Sequence, residues 1–137
     1  MLGRGRFMQS EDNKAVVQRF LLQGLGELNP DVVDEVFAPG HVLSSPEFGT
    51  EAITGTQIIK TAIDEFRRDV GELECTIQRQ VEEGDWVATS YTLSEGQNDH
   101  MGIMFSRVVA GRIEESHVVA STVLGLTDAS VARKAFN

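Results

Sequence analysis

Near residue 72 the spacing of apolar side chains changes from helical to alternating, which divides the chain into a helical first half and a stranded second half. Upstream, Val16, Val17, Phe20, Leu21, Leu25 and Leu28 form one stripe at helical spacing. Ser10 followed by Glu11 and Asp12 supplies a start signal for that helix, with acids in its first turn. Asn29-Pro30-Asp31 closes the first helix and opens a short second one, Pro30 to about Phe37, which stops at Ala38-Pro39-Gly40. Residues 41–56 read as irregular, with a brief strand at His41–Leu43. A third helix begins near Thr56 and carries Ile58, Ile59, Ala62, Ile63 and Phe66 on one face, with Arg67 and Arg68 suiting its C-terminal dipole.

Downstream, Leu73, Cys75, Ile77 and Val81 alternate with polar residues, interrupted by Arg79. Turns at Glu82-Glu83-Gly84 and Val109-Ala110-Gly111 define two hairpins. A two-residue turn would force positive φ on Glu83 and Ala110. Three-residue loops with glycine in the left-handed position are therefore expected. This register sets Leu73, Cys75 and Ile77 opposite Leu93, Tyr91 and Thr89, Gly102 opposite Val118, and Met104 opposite Ser116. The even face of the second hairpin is then mostly small: Gly102, Met104, Ser106, Ser116, Val118, Ala120 and Thr122. Small inward side chains on a curved sheet leave room either for a ligand or for a closely packed helix. The predicted class is α+β, three N-terminal helices on a strongly curved antiparallel sheet around a pocket of small-molecule size.

Several functions are disfavoured by bulk properties. A net charge of −9 argues against a nucleic-acid or anionic-membrane surface. No apolar run is long enough to span a bilayer. The single cysteine, Cys75, allows no internal disulfide, reads as a buried packing thiol and suits a cytoplasmic setting. The three histidines, His41, His100 and His117, lie far apart without metal-ligand spacing, so no metal site is expected.

Among residues that carry chemistry, His100 is the candidate general base. It stands on the even face two positions before Gly102, with Asp99 beside it, and its alternative is an exposed loop histidine. Tyr91 has a hydroxyl that suits a ligand oxygen or a core hydrogen bond. His41, after Pro39-Gly40, reads as a surface residue, and His117 on the odd face as a packing or subunit contact, as does Trp86.

Residues 13–42 (NKAVVQRFLLQGLGELNPDVVDEVFAPGHV), 54–66 (TGTQIIKTAIDEF), 81–93 (VEEGDWVATSYTL) and 105–119 (FSRVVAGRIEESHVV) carry a resemblance to the SnoaL-like polyketide cyclase domains of the nuclear transport factor 2-like superfamily. It spans residues 10–126, leaving residues 1–9 as a flexible tail and 127–137 as a tail or short helix. The resemblance implies a conical fold enclosing an apolar cavity, homodimers through the outer sheet face, and no metal or organic cofactor. It implies an aldol ring closure run by a His and an Asp in the cyclases, and isomerisation, epoxide hydrolysis, dehydration or mere binding in relatives.

Relatives read like FVDHDP where this chain has His41-Val42-Leu43-Ser44-Ser45-Pro46, and like VEHWDVVD where it has Glu114 to Ser121. The acid–base positions align with Met104 and Val118, which move no proton. The resulting expectation is a cytoplasmic protein that binds a small hydrophobic molecule, with Tyr91, Gly102, Met104, Ser116 and Val118 as ligand contacts. The alternative is a cofactor-independent cyclase, isomerase or hydrolase with His100 as base.

Overall fold

A computed structural model describes residues 13–46, 49 and 51–120. The expected helix start at Ser10, both tails, and Ser121 and Thr122 lie outside the described residues. Helix α1 is α-helical over 13–19 and then widens into a π-helical segment, Phe20–Leu25. Its wide turn is visible in the hydrogen bonds from Gly26 N to Leu21 O, 2.9 Å, and from Asn29 N to Gly24 O, 3.0 Å. Two glycines permit it. A Cβ on Gly24 would stand 2.9 Å from the Phe20 ring, and one on Gly26 would stand 2.4 Å from Leu22 O.

Helix α2 (Asp31–Val36) starts after Pro30, with the Asn29 Oδ1 accepting a hydrogen bond from Asp31 N at 3.1 Å. Helix α3 (Gln57–Asp69) buries Ile59, Ala62, Ile63 and Phe66, the stripe expected from its spacing. Arg67 in its last turn reaches beyond its own helix and donates to Leu28 O at 2.6 Å. Arg67 thereby joins the ends of α1 and α3.

Six strands follow: β1 (Phe37–Ser44), β2 (Ile53–Thr54), β3 (Glu74–Glu83), β4 (Trp86–Glu95), β5 (Asn98–Val109) and β6 (Arg112–Ala120). They form one sheet in the order β2-β1-β6-β5-β4-β3. The four long strands are antiparallel as expected, but β1 runs parallel to β6 and makes the sheet mixed. Strand β1 begins at Phe37, four residues before the brief strand expected at His41–Leu43. Ala38-Pro39-Gly40 is not a stop after α2 but an irregular stretch inside β1, where the register with β6 shifts between Phe37 and Val42. A proline and a glycine inside a strand are tolerated where it bulges.

Both hairpin turns also differ from expectation. Glu83 pairs with Trp86 around Gly84-Asp85, and Val109 pairs with Arg112 around Ala110-Gly111. These are two-residue turns. Ala110 accepts the left-handed conformation, with φ of 52°, alongside Gly111 at 78°. Each turn alone would pair odd residues with even ones. Bulges restore the expected parity farther along: between Ile77 and Arg79 in β3, and opposite Arg107 and Val108, where Glu114 is the extra residue.

Past the bulges the pairs are Cys75↔Leu93 and Ile77↔Tyr91, then Gly102↔Ala120, Met104↔Val118 and Ser106↔Ser116, each displaced by two residues from the expected partner. The bulge in β3 also explains why Val81, expected to face inward, is 58% exposed.

The face prediction for β5 holds. Gly102, Met104, Ser106 and Val108 are buried, while Met101, Ile103 and Phe105 are exposed on the other side. The core lies between that inner face and the helices, with Val17, Leu21, Val33, Phe37, Ile63, Val87, Val108 and Ile113 at its centre. Arg112 fastens the start of β6 by donating to Asp34 O and Phe37 O, both at 3.2 Å.

A left-handed alanine costs about 1 kcal/mol that glycine avoids in part. Ala110→Gly should therefore raise stability by about 0.5 kcal/mol, and Ala110→Val should lower it by more than that. Urea unfolding midpoints of the three proteins check both signs.

Candidate binding site

The inner face of the sheet and the helices enclose a cavity lined by Phe20, Leu25, Phe37, His41, Leu43, Ile59, Ala62, Tyr91, Met104, Ser116 and Val118. Its volume, about 30 Å³, accommodates about two water-sized molecules. Anything larger enters only if wall side chains move. The unbranched Met104 is the wall residue best suited to that, having three rotatable bonds.

Each expected ligand contact has a definite position. Tyr91, Met104, Ser116 and Val118 lie in the cavity wall. Gly102 lies against the Tyr91 ring, where a Cβ would stand 2.5 Å from Cζ, so only glycine lets the tyrosine occupy its position. Met104 and Val118 are cross-strand partners in the wall, and neither can transfer a proton. His100 is not among the wall residues. Its Nε2 lies 3.8 Å from Glu95 Oε2, both side chains being mostly buried. The inner face thus has two separate histidine environments.

His41, expected at the surface, is fully buried in the cavity wall. The cause is the irregular stretch of β1, which leaves Pro39 and Gly40 exposed and returns Phe37, His41 and Leu43 to the interior. His41 Nε2 shares a hydrogen bond of 2.8 Å with Ser116 Oγ across the parallel β1–β6 pair. The Phe37 ring meets the imidazole edge to face at 4.7 Å, and Phe20 meets Phe37 at 4.8 Å. Alternation of His41 with Leu43 was the available signal, outweighed by the Pro-Gly dipeptide before it.

Burial disfavours the imidazolium and lowers the His41 pKa from the ordinary 6.5 to about 4, with Glu115 opposing the shift only in part. His41 is therefore neutral at pH 7. Two buried polar atoms beside this pair have no hydrogen-bond partner among the described residues: His41 Nδ1 and Ser106 Oγ. Ser106 pairs directly with Ser116 on the neighbouring strand. No group of three or more His, Cys, Asp or Glu side chains suited to a metal ion occurs among the described residues.

The model of the SnoaL-like domain matches residues 17–116. The chain belongs to the SnoaL-like domain family. Among solved structures, this SnoaL-like chain is similar to a candidate SnoaL-like polyketide cyclase from Jannaschia sp. CCS1, with a TM-score of 0.68 and 18% identity over 81% of this chain and 86% of that one. It is also similar to a candidate ketosteroid isomerase from Kribbella flavida DSM 17836, at 0.65 and 19% over 83% and 81%.

An LEH-like epoxide hydrolase of M. tuberculosis aligns at 0.67 and 21%, over 93% of this chain and 90% of that one. At such identities the likeness concerns the fold. No curated protein sequence matches the chain. No helix among the described residues is long and apolar enough to cross a membrane.

Because the folded SnoaL-like domain holds His41 at a depressed pKa, its contribution to stability is complete above the unfolded value of 6.5 and is lost as pH falls towards about 4. Over that window wild type should lose on the order of 3 kcal/mol that His41→Gln does not lose. The difference between their urea midpoints at pH 7 and pH 4.5 measures it.

Proposed function

We propose that this SnoaL-like chain binds a small, largely hydrocarbon molecule in the cavity between α1, α3 and the sheet. The observation that carries this reading is the wall itself, eight apolar side chains with only His41, Tyr91 and Ser116 bearing polar groups. Few, convergent polar groups in an apolar lining suit recognition of a small molecule better than they suit simple packing. Gly102 supports the same reading, since it admits the Tyr91 ring to the wall at the cost of a side chain in the sheet.

Catalysis is the second reading, and one observation favours it. The mostly buried His100–Glu95 pair joins an imidazole to a carboxylate on the same sheet. A cyclase, isomerase or hydrolase reaction of the kinds named for similar structures would use His100 as base, with no metal or organic cofactor.

The outer sheet face exposes Met101, Ile103, Phe105 and Val119, which supports a homodimer through that face. The free Cys75, its pKa pushed up to about 11 by burial, supports a reducing cytoplasmic setting.

Saturable binding of toluene or ethylbenzene, followed by ligand-observed NMR, should weaken at least about tenfold in Val118→Phe, which fills the cavity. Equal binding to both proteins would place the ligand elsewhere and overturn the reading. Turnover of styrene oxide or of a β,γ-unsaturated ketone that disappears in His100→Gln would establish the catalytic alternative. For the dimer, Phe105→Glu should convert the sedimenting species to monomer, and a monomeric wild type would refute it.

A further inference from the structure

We propose that His41 and Ser116 form a recognition centre for an uncharged oxygen function, foremost a hydroxyl, borne on an otherwise hydrocarbon ligand. The proposal rests on the cavity being the binding site and specifies what that site selects. His41 and Ser116 are two of the three polar residues in the wall, Tyr91 being the third, and they meet across β1 and β6 at 2.8 Å. One imidazole nitrogen is thereby satisfied. The other, Nδ1, is buried without a partner among the described residues, as is the adjoining Ser106 Oγ. Leaving such an atom unpaired is costly, whereas a ligand in the cavity that pairs the His41 Nδ1 recovers that cost on binding.

The chemistry of the wall then selects the ligand's charge. It contains no lysine or arginine to hold an anion and no carboxylate to hold a cation. The imidazole is neutral because of its burial. Bringing an ion into such a lining would meet the full desolvation cost with nothing to offset it. An uncharged polar group meets a much smaller cost.

The tautomer selects further. If Ser116 donates to Nε2, Nδ1 bears the proton and needs an acceptor; if Nε2 donates to Ser116, Nδ1 needs a donor. A carbonyl satisfies only the first arrangement. A hydroxyl satisfies both, since it donates and accepts.

Phenol, toluene and benzoate have similar ring frames and differ at one substituent, which makes them a direct probe set. Each would be titrated at pH 7 into the full chain labelled with ¹⁵N, with the His41 imidazole nitrogens and the affinities as readouts. Phenol should shift the His41 nitrogens saturably, toluene should bind without shifting them to the same extent, and benzoate should bind weakest.

In His41→Phe the ratio of phenol to toluene affinity should fall by about tenfold, with toluene binding retained. Ser116→Ala, which leaves the imidazole in place, should reduce the ratio by a smaller factor. It provides the test should His41→Phe fail to fold. Toluene binding with an unchanged ratio in the variants would overturn the recognition centre while leaving the cavity reading intact. Tightest binding by benzoate would overturn the uncharged class. No binding by any of the three to wild type would overturn both.

Discussion

The bulge at Glu114 determines which side chains of β6 face the interior. The two-residue turn at Ala110-Gly111 pairs Val108 with Ile113, an even residue with an odd one, and both are buried. Had that register continued, the odd residues Glu115 and His117 would lie towards the helices. Inserting Glu114 moves the inward set by one, so Ser116 and Val118 face the cavity instead. A slip of one residue exchanges the two faces of a strand. Here it separates a neutral apolar cavity from one that would hold a carboxylate and a second imidazole. His117 and Glu115 instead bond each other at 2.6 Å on the outer side, near Arg107.

The position of His41 depends on the same bulge from the other direction. Strand β1 lies beside β6 in parallel, with Leu43 level with Ser116. Its irregular stretch at Ala38-Pro39-Gly40 adds three residues relative to β6, since five steps from Phe37 to Val42 match two from Ile113 to Glu115. That surplus sets the imidazole opposite the Ser116 hydroxyl. Two independent irregularities therefore produce one hydrogen bond, and each is local to a turn-forming dipeptide. Regular strands in these places would separate the two groups.

These irregularities also explain what was legible in the sequence. The α1 and α3 stripes were readable because helical spacing over many residues is a strong signal, and Leu21 and Ile63 are completely buried as expected. The inward set Gly102, Met104 and Ser106 was readable for the same reason, from alternation over a long strand. The turn at Ala110 was not, because the cost of a left-handed alanine is small enough for hairpin twist to outweigh it. The expected parity survived only because a bulge compensated for the turn. His41 was illegible for a related reason: Pro39-Gly40 marks a chain break by local rules, and only pairing with β6, distant in sequence, keeps it within a strand. The π-helical segment of α1 likewise depends on contacts at Gly24 and Gly26 that periodicity does not report.

At His41 the cavity wall presents a hydrogen-bonding group rather than a strong base. A base with a pKa of about 4 is deprotonated at pH 7 but has little affinity for a proton, so its driving force for abstraction is small. The same weak basicity does not impair hydrogen bonding, which needs only a neutral ring with one free nitrogen. Met104 and Val118 reinforce the point, because they keep the wall beside His41 free of charge and so maintain the desolvation that depresses its pKa. Replacing either with a carboxylate would raise the pKa of His41 towards the neutral range and create an acid–base pair in the cavity. The apolar side chains at these two positions and the neutrality of His41 are thus one physical condition.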